Sequence, residues 1–496
     1  MRVKLINTTK ELNNSDTIII FVNENEIKGL SENPFINEYI KSFDLNYFYG
    51  KFSEIYFIKL NNRPGLILCG IGDPQKLTND NIRNAAAASI KFCISKKVKK
   101  VTIVIPEIRN KKSDDLLKLI AEGALLSNYL FTKYMSDKDI DMPVEDIDLF
   151  ISDELETKDT NLYKNSISLI KDIEIVVNNI YSCRDLVNDT TNAVNPVTFS
   201  ELAKEIASKT DIKCTVLEKD DIEKRGMGLL LAVNKGSEIP PRIVILEYNG
   251  DSKNKKLFGL AGKGITFDSG GMDLKPPASM ETMRCDMAGA AAVLFAMKSL
   301  AELKVKKNIA AVIPLTENML SNNAFRPGDI LIAANGLSVE VGNTDAEGRL
   351  ILADALSLMI KEIKPDVIVD IATLTGSCVA TFGETVAAYL SNDEKISDAL
   401  KSASERTGEK IWRLPFFDDY DDRLKSDIAD LNNVSSEKNA GAIVGALFLK
   451  KFIDKTTWAH IDIAGTAWYS KARGYNPKSA TGFGVRLLVD LIKNWK

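Results

Sequence analysis

At 496 residues the chain is too long for one ordinary hydrophobic core, and two domains are expected. Its 45% hydrophobic content supports folding, while 64 basic against 68 acidic residues leave a net charge of -4 and no electrostatic footprint for nucleic acid. No apolar run approaches the roughly 18 residues of a membrane span, and the stretch 1–16 lacks the apolar core of an export signal, so a cytoplasmic protein is expected.

The six cysteines, Cys69, Cys93, Cys183, Cys214, Cys285 and Cys378, are widely spaced and form no CxxC pair, which reads as free thiols in the core. With His460 as the one histidine, a site built on several imidazoles is excluded. Any metal must be held mainly by oxygen.

In chain order, DTIIIFV (16–22), EIYFIKL (54–60), PGLILCGIG (64–72) and KVTIVIP (100–106) read as strands, and 81–97 and 114–131 repeat apolar residues at helical spacing. The stretch 137–159 turns acidic around one further strand, DIDLFIS (146–152). A long helix is expected over 162–189, followed by a helix after Pro196 capped near Thr198 or Ser200. Beyond it, KCTVLEK, RIVILEY, KLFGLAG, NIAAVIPL, DVIVDIA and WAHIDIAG are short apolar runs between helical stretches. The fold class is therefore α/β: a smaller N-terminal α/β domain over 1–165, a linking helix over 166–190, and a larger α/β domain over 191–496 with a mostly parallel central sheet. The loops after KLFGLAG, after the VEV strand and after VIVDIA carry conspicuous polar or glycine residues, and at the carboxyl edge of such a sheet they can share one crevice.

The stretch 260–350 concentrates the chemistry. AGKGITFDSGG brings Lys263 and Asp268, DLKPP brings Lys275, MRCDMAGAAAV brings Asp286, and NTDAEGRL brings Asp345, Glu347 and Arg349. In an extended segment the spacing of two puts Asp345, Glu347 and Arg349 on one face, ahead of an amphipathic helix over 350–363. Four inward carboxylates are too costly to desolvate unless neutralised, and two divalent cations balance them, leaving Lys263 as a neutral amine ligand if its pKa is driven down. Carboxylates suit Zn²⁺, Mn²⁺, Mg²⁺ or Co²⁺, and a nitrogen donor favours the transition ions. Two such ions acidify a shared water, which is hydrolytic chemistry. The GK pair of AGKGIT fails the P-loop spacing, and Ser269 lies in no nucleophile elbow. His460 sits in an apolar strand pattern as a core histidine; Trp412, Trp458 and Trp468 read as core or interface, and Met272 as loop packing or a substrate contact.

GKGITFDSGG, Lys275, Asp286 and NTDAEGRL together resemble the signature of the leucyl aminopeptidase family, cytosolic dinuclear metallo-aminopeptidases, and the similarity extends over roughly 180–490 through RDLVN, DIATLTGS and WAHIDIAG. The resemblance makes 191–496 the catalytic metallo-aminopeptidase domain. It implies Lys263, Asp268, Asp286 and Glu347 as ligands of a tightly held metal, and Asp268, Asp345 and Glu347 as ligands of an exchangeable one. Lys275 would stabilise the oxyanion, and Arg349 would hold a bicarbonate ion acting as base. Thr373, Leu374 and Gly376 would line the substrate cleft, with Ala464 and Ala467 beside the pocket for the first side chain. The implied substrates are peptides with a free N-terminus, preferably Leu or another apolar residue, and the implied assembly is a homohexamer. Two other readings remain at this stage: a regulatory protein on the same fold, such as a DNA binder, and a dinuclear phosphoesterase.

Overall fold

A computed structural model describes residues 2–24, 47–59, 63–108, 111–136, 141–152, 155, 162–437 and 439–496. Leu60, closing the expected strand over 54–60, and 137–140, 153–154 and 156–159 of the acidic stretch lie outside the described residues. The chain divides into two compact units: Met1–Asn178 with Lys471–Lys478, and Asn179–Ser470 with Ser479–Lys496.

The first unit is built on a six-stranded sheet of β1 (Arg2–Ile6), β2 (Thr17–Asn23), β3 (Ile55–Ile58), β4 (Gly65–Gly72), β5 (Lys100–Val104) and β6 (Asp146–Phe150). The order is β1-β6-β5-β2-β4-β3, with every neighbouring pair parallel except β3 with β4. The unbroken apolar runs of β2 and β4 are what a strand covered on both faces requires. β1 was not legible in the sequence, because RVKLI is short and only Leu5 and Ile6 are buried; pairing with β6 makes it a strand. Helices α1 (Asn79–Ser95) and α2 (Ser113–Ser127) pack so closely that a Cβ at Gly123 would lie 2.1 Å from the Arg83 carbonyl oxygen.

The division between the units falls inside α3 (Leu162–Asn188). The next helix, α4 (Pro196–Ser208), is capped by Asn195, not by Thr198 or Ser200. Asn195 accepts the Val197 and Thr198 N–H groups, the Thr198 hydroxyl returns the bond to the Asn195 N–H, and Pro196 takes the first helical position, where no N–H is needed.

The second unit holds a nine-stranded sheet: β7 (Ile212–Leu217), β8 (Arg242–Asn249), β9 (Leu257–Gly262), β10 (Gly264–Asp268), β11 (Asn308–Asn318), β14 (Val367–Ala372), β15 (Ala387–Ser391), β16 (Ile411–Arg413) and β18 (Thr457–Asp462). The centre, β18-β14-β9-β11, is parallel, and antiparallel neighbours appear only toward the edges. The VEV run is not part of this sheet. It forms β13 (Ser338–Glu340), paired with β12 (Ile330–Ile332) and β17 (Leu431–Asn432) in a separate three-stranded sheet.

Small residues in KLFGLAG let helices reach β9 from both faces. A Cβ on Gly262 would lie 2.6 Å from the Gly289 carbonyl of α5 (Ala288–Glu302), whereas one on Gly259 would meet the Met359 sulfur at 2.8 Å, just past α6 (Glu347–Leu358). Gly259 and Gly262 have opposite parity along the strand, so the two helices cover opposite faces. Helix α6 is buried all round, not amphipathic, since a core of β-strands, Leu229, Leu230 and the apolar helix Gly441–Lys450 encloses it. Exposure begins only at Lys361 and Glu362, in the wider turn Met359–Ile363.

Within α6, fully buried Asp354 accepts the Leu230 N–H at 2.9 Å and the Ala334 N–H at 2.8 Å. Burial pushes its pKa up to about 7 against the opposing pull of those N–H groups. A folded pKa above the unfolded one means that this group's stabilising contribution is complete below about pH 4 and is lost as pH rises through about 7. Thermal unfolding between pH 5 and 8 should therefore show a steeper loss of stability with pH in the native chain than in Asp354→Asn.

Candidate active site

The chain crosses from β9 to β10 at Lys263, whose backbone is pinned on both sides: its N–H donates to the Ile371 carbonyl at 3.1 Å, and its carbonyl accepts the Ala290 N–H at 2.8 Å. Asp268 ends β10, and Gly270 and Gly271 follow with φ of 86° and 67°, values that favour glycine. A Cβ at Gly270 would also strike the Asp345 carboxylate at 2.9 Å. Asp286 sits in a 3-10 turn (Met283–Met287) that leads into α5, and Gly289 lets that turn approach β14, a Cβ there falling 2.2 Å from the Ile371 carbonyl.

Asp345, Glu347 and Arg349 do not share one face of an extended segment. Glu347 opens α6, so Glu347 and Arg349 project from a helical first turn and Asp345 from the turn before it. The helix start replaces the strand because Thr344 is bolted to the 270–273 loop: its N–H donates to Asp273 at 2.7 Å and its hydroxyl to the Gly270 carbonyl at 2.7 Å. Gly348 leaves room for the Lys263 side chain, whose Nζ would lie 2.6 Å from a Cβ there.

These segments bring Asp268, Asp286 and Glu347 together, each offering one oxygen within 4.8 Å of the others. Lys263 Nζ lies 2.9 and 2.8 Å from the two Asp286 oxygens, 2.9 Å from Glu347 Oε1 and 2.9 Å from the Thr373 carbonyl. Lys275 Nζ lies 2.8 Å from Asp268 Oδ2 and 2.6 Å from Asp345 Oδ1, which links Asp345 to the triplet. Asp286 Oδ2 and Asp345 Oδ1 lie 2.8 and 2.6 Å from these ammonium groups, and among the described residues no other group hydrogen-bonds to either. Four carboxylates face two ammonium groups. Burial, reinforced by Asp268, pushes Glu347 up to about 8 and Asp286 up to about 6, and raises Asp345. Burial would lower Lys263 and Lys275, but the surrounding carboxylates outweigh it and hold both protonated. Unsatisfied lone pairs, an oxygen-rich donor set and surplus negative charge all fit divalent cations.

Arg349, buried and lowered to about 10 by that burial, donates from Nη1 to the Asn433 carbonyl at 2.7 Å, while its Nε has no acceptor. Thr373 reaches the cluster directly, donating from its hydroxyl to Asp286 at 2.7 Å. The following backbone is held by Asp462, which accepts the Leu374 and Thr375 N–H groups at 3.1 and 3.4 Å and the Thr375 hydroxyl at 2.6 Å. Gly376 is exposed at the start of the next helix. Ala467 is buried in the turn after β18, and Ala464 is the more open of the two. Met272 is exposed.

Sequence reasoning missed Asn318, Asn433 and Asp462. Asn433 accepts the Gly342 and Asn343 N–H groups at 2.8 and 3.2 Å and so fixes the loop ahead of Asp345. Asn318 and Asp462 each close a central strand at its carboxyl end, the one available signal. His460 is a core residue: its Nδ1 pairs with Asp370 at 2.5 Å, the Trp458 indole donates to the other Asp370 oxygen at 2.6 Å, and Nε2 has no partner. Burial opposes a charge on the ring, but Asp370 prevails and shifts its pKa upward. Trp412 is exposed on the edge strand β16. Five cysteines are buried, Cys214 is half-buried, and all six are free.

The chain is similar to known proteins over both units. Residues 181–489 match the model of the cytosol aminopeptidase family, catalytic domain, and 38–138 match that of the same family's N-terminal domain. Among curated proteins, a probable cytosol aminopeptidase of Geotalea uraniireducens is 40% identical over 449 residues, 89% of each chain. One of Protochlamydia amoebophila is 38% identical over 458 residues, covering 91% of this chain and 90% of its own. Among solved structures, the bottromycin maturation enzyme BotP is 28% identical with a TM-score of 0.84, covering 97% of this chain and 99% of its own; BotP in complex with Mn gives a TM-score of 0.85.

Because Asp462 takes up the Leu374, Thr375 and Ala464 N–H groups, at least one of them buried, Asp462→Ala should lower stability by about 2–4 kcal/mol, measured by denaturant unfolding of the metal-free protein. Asp462→Asn, which keeps an acceptor, should recover part of that loss.

Proposed function

We infer the function of this chain from its family: it belongs to the cytosol aminopeptidase family, and so is a metal-dependent hydrolase that removes residues from the N-termini of peptides. The finer reading is our proposal. The observation that carries it is the position of the two lysines, Lys263 between Asp286 and Glu347 and Lys275 between Asp268 and Asp345, each standing where excess carboxylate charge calls for a cation.

In this reading Lys263, Asp268, Asp286 and Glu347 would hold one divalent ion, and Asp268, Asp345 and Glu347 would hold a second, exchangeable one, with Zn²⁺ or Mn²⁺ favoured by the mixed oxygen and amine set. Two such ions supply Lewis acidity and bring the pKa of water toward neutrality. To serve as a ligand Lys263 would have to release its proton to solvent, the reverse of the protonated state that the carboxylates alone favour. Lys275 keeps its proton and donates from Nζ to the scissile carbonyl oxygen as negative charge develops there. Arg349, with Nε lacking an acceptor, holds bicarbonate as the base, a role that His460, fixed on Asp370, does not fill. Recognition of the substrate's free amine at the same cluster limits cleavage to the first residue. The backbone at Thr373, Leu374 and Gly376 lines the cleft, and Ala467 with Ala464 bounds a pocket suited to Leu or another apolar side chain. The assembly is a homohexamer working in the cytoplasm, as the family resemblance implies; no described helix is long and apolar enough to cross a membrane.

Lys275→Ala should retain two ions per chain by elemental analysis and lose roughly 10²–10³-fold in kcat, whereas Asp268→Asn should lose metal as well. Loss of metal from Lys275→Ala would overturn this division of roles. Leucine amide should be turned over faster than aspartate amide, and equal rates would refute the apolar pocket.

A further inference from the structure

β11 ends in Asn318, fully buried and paired with Asp268 across the irregular end of the β10–β11 register. Its Nδ2 lies 2.9 Å from Asp268 Oδ1, 3.1 Å from the Thr344 carbonyl and 3.4 Å from Glu347 Oε2. Its own carbonyl accepts the Ser269 N–H at 2.9 Å and the Ser269 hydroxyl at 2.8 Å. One residue thus ties together the segment of Asp268, the segment of Asp345 and the first turn of α6. The orientation of the amide is fixed by its surroundings, because turning it over would set Oδ1 against three oxygens. Asn318 Oδ1 is buried without a donor among the described residues, beside Gly271, where a Cβ would lie 2.9 Å from it. Packing alone does not account for that arrangement: an apolar side chain of similar size would fill the space without stranding a carbonyl.

We propose that Asn318 is a positioning residue for the metal-binding carboxylates, resting on the two-metal reading above. Its amide nitrogen sets the mutual angle of Asp268 and Glu347, the two carboxylates that this reading shares between both ions. A neutral donor suits the task, since a lysine or arginine there would repel the cations and an aspartate would add a fifth negative charge with no proton to give. Removal of such outer hydrogen-bond partners weakens metal sites about 10–100-fold.

The test compares the full-length native chain with Asn318→Leu, which keeps the volume, and Asn318→Ala, which carries the comparison should the leucine variant not fold. Mn²⁺ affinity is measured by competition with a chelator, alongside denaturant unfolding of the metal-free proteins. The expected result is a 10–100-fold loss of Mn²⁺ affinity in the folded variants, with a metal-free unfolding midpoint lowered because the Thr344 carbonyl and Asp268 lose a buried donor. Peptidase activity of the variant should return in excess Mn²⁺ with an unchanged KM for substrate. Native-like Mn²⁺ affinity in both variants, while the native chain binds two ions, would overturn the proposal. So would a loss of activity that excess Mn²⁺ does not restore. Failure of the native chain to bind Mn²⁺ or Zn²⁺ would instead overturn the two-metal reading, and this proposal with it.

Discussion

Everything in the second unit answers to the cost of holding four carboxylates largely out of water. Asp268, Asp286 and Glu347 are buried and Asp345 is only partly open, while two ammonium groups supply half of the charge needed for balance. Burial, with Asp268 adding to it, pushes Glu347 up to about 8. Protonation relieves part of that cost, and divalent cations are the ligand whose charge and donor preference match the remainder. The metal dependence of the family is thus a consequence of electrostatics already present in this chain.

The same cluster dictates the small residues around it. Gly262 and Gly289 bring α5 against the sheet, Gly348 makes room for the Lys263 stem, and Gly270 with Gly271 turns the chain away from Asp268 without colliding with Asp345 or Asn318. Lys263 after β9, Asn318 at the end of β11, Thr373 after β14 and Asp462 at the end of β18 meet because those strands run parallel and deliver their carboxyl ends to one edge, whereas Asp345 and Glu347 arrive after β13 of the separate sheet. What holds them in register there is largely uncharged. Asn318, Asn433, Thr344 and Thr373 supply amide and hydroxyl hydrogen bonds, with Asp462 fixing the backbone after β14.

The long apolar strands of both units and the long helix were legible because apolar runs of strand length and helical periodicity record burial directly, whereas β1 and short strands such as β12, β16 and β17 were not; the charged residues of GKGITFDSGG and NTDAEGRL stand out against their glycine-rich and apolar surroundings. Their local geometry was not legible. The alternation in 345–349 suited a strand as well as a helix start, and only the contacts of Thr344 with Gly270 and Asp273 decide between them. Helix α6 looked amphipathic because Asp354 and Ser357 are polar, yet both are buried, the first accepting two backbone N–H groups and the second donating to the Ala353 carbonyl. Asn318 and Asn433 escaped notice since an asparagine at the end of a strand or in a loop carries no signature until its distant partners are known.

The central claim is that this carboxylate cluster works as a metal-dependent exopeptidase site. The most direct measurement is hydrolysis of Leu-Gly and of its N-acetylated form, followed in both as glycine released, by protein stripped with chelator and then refilled with Mn²⁺ or Zn²⁺. Activity that returns only with metal, and only on the dipeptide with a free amine, is the predicted result. Glycine release without metal, equal cleavage of the blocked peptide, or no activity despite two bound ions would contradict the account.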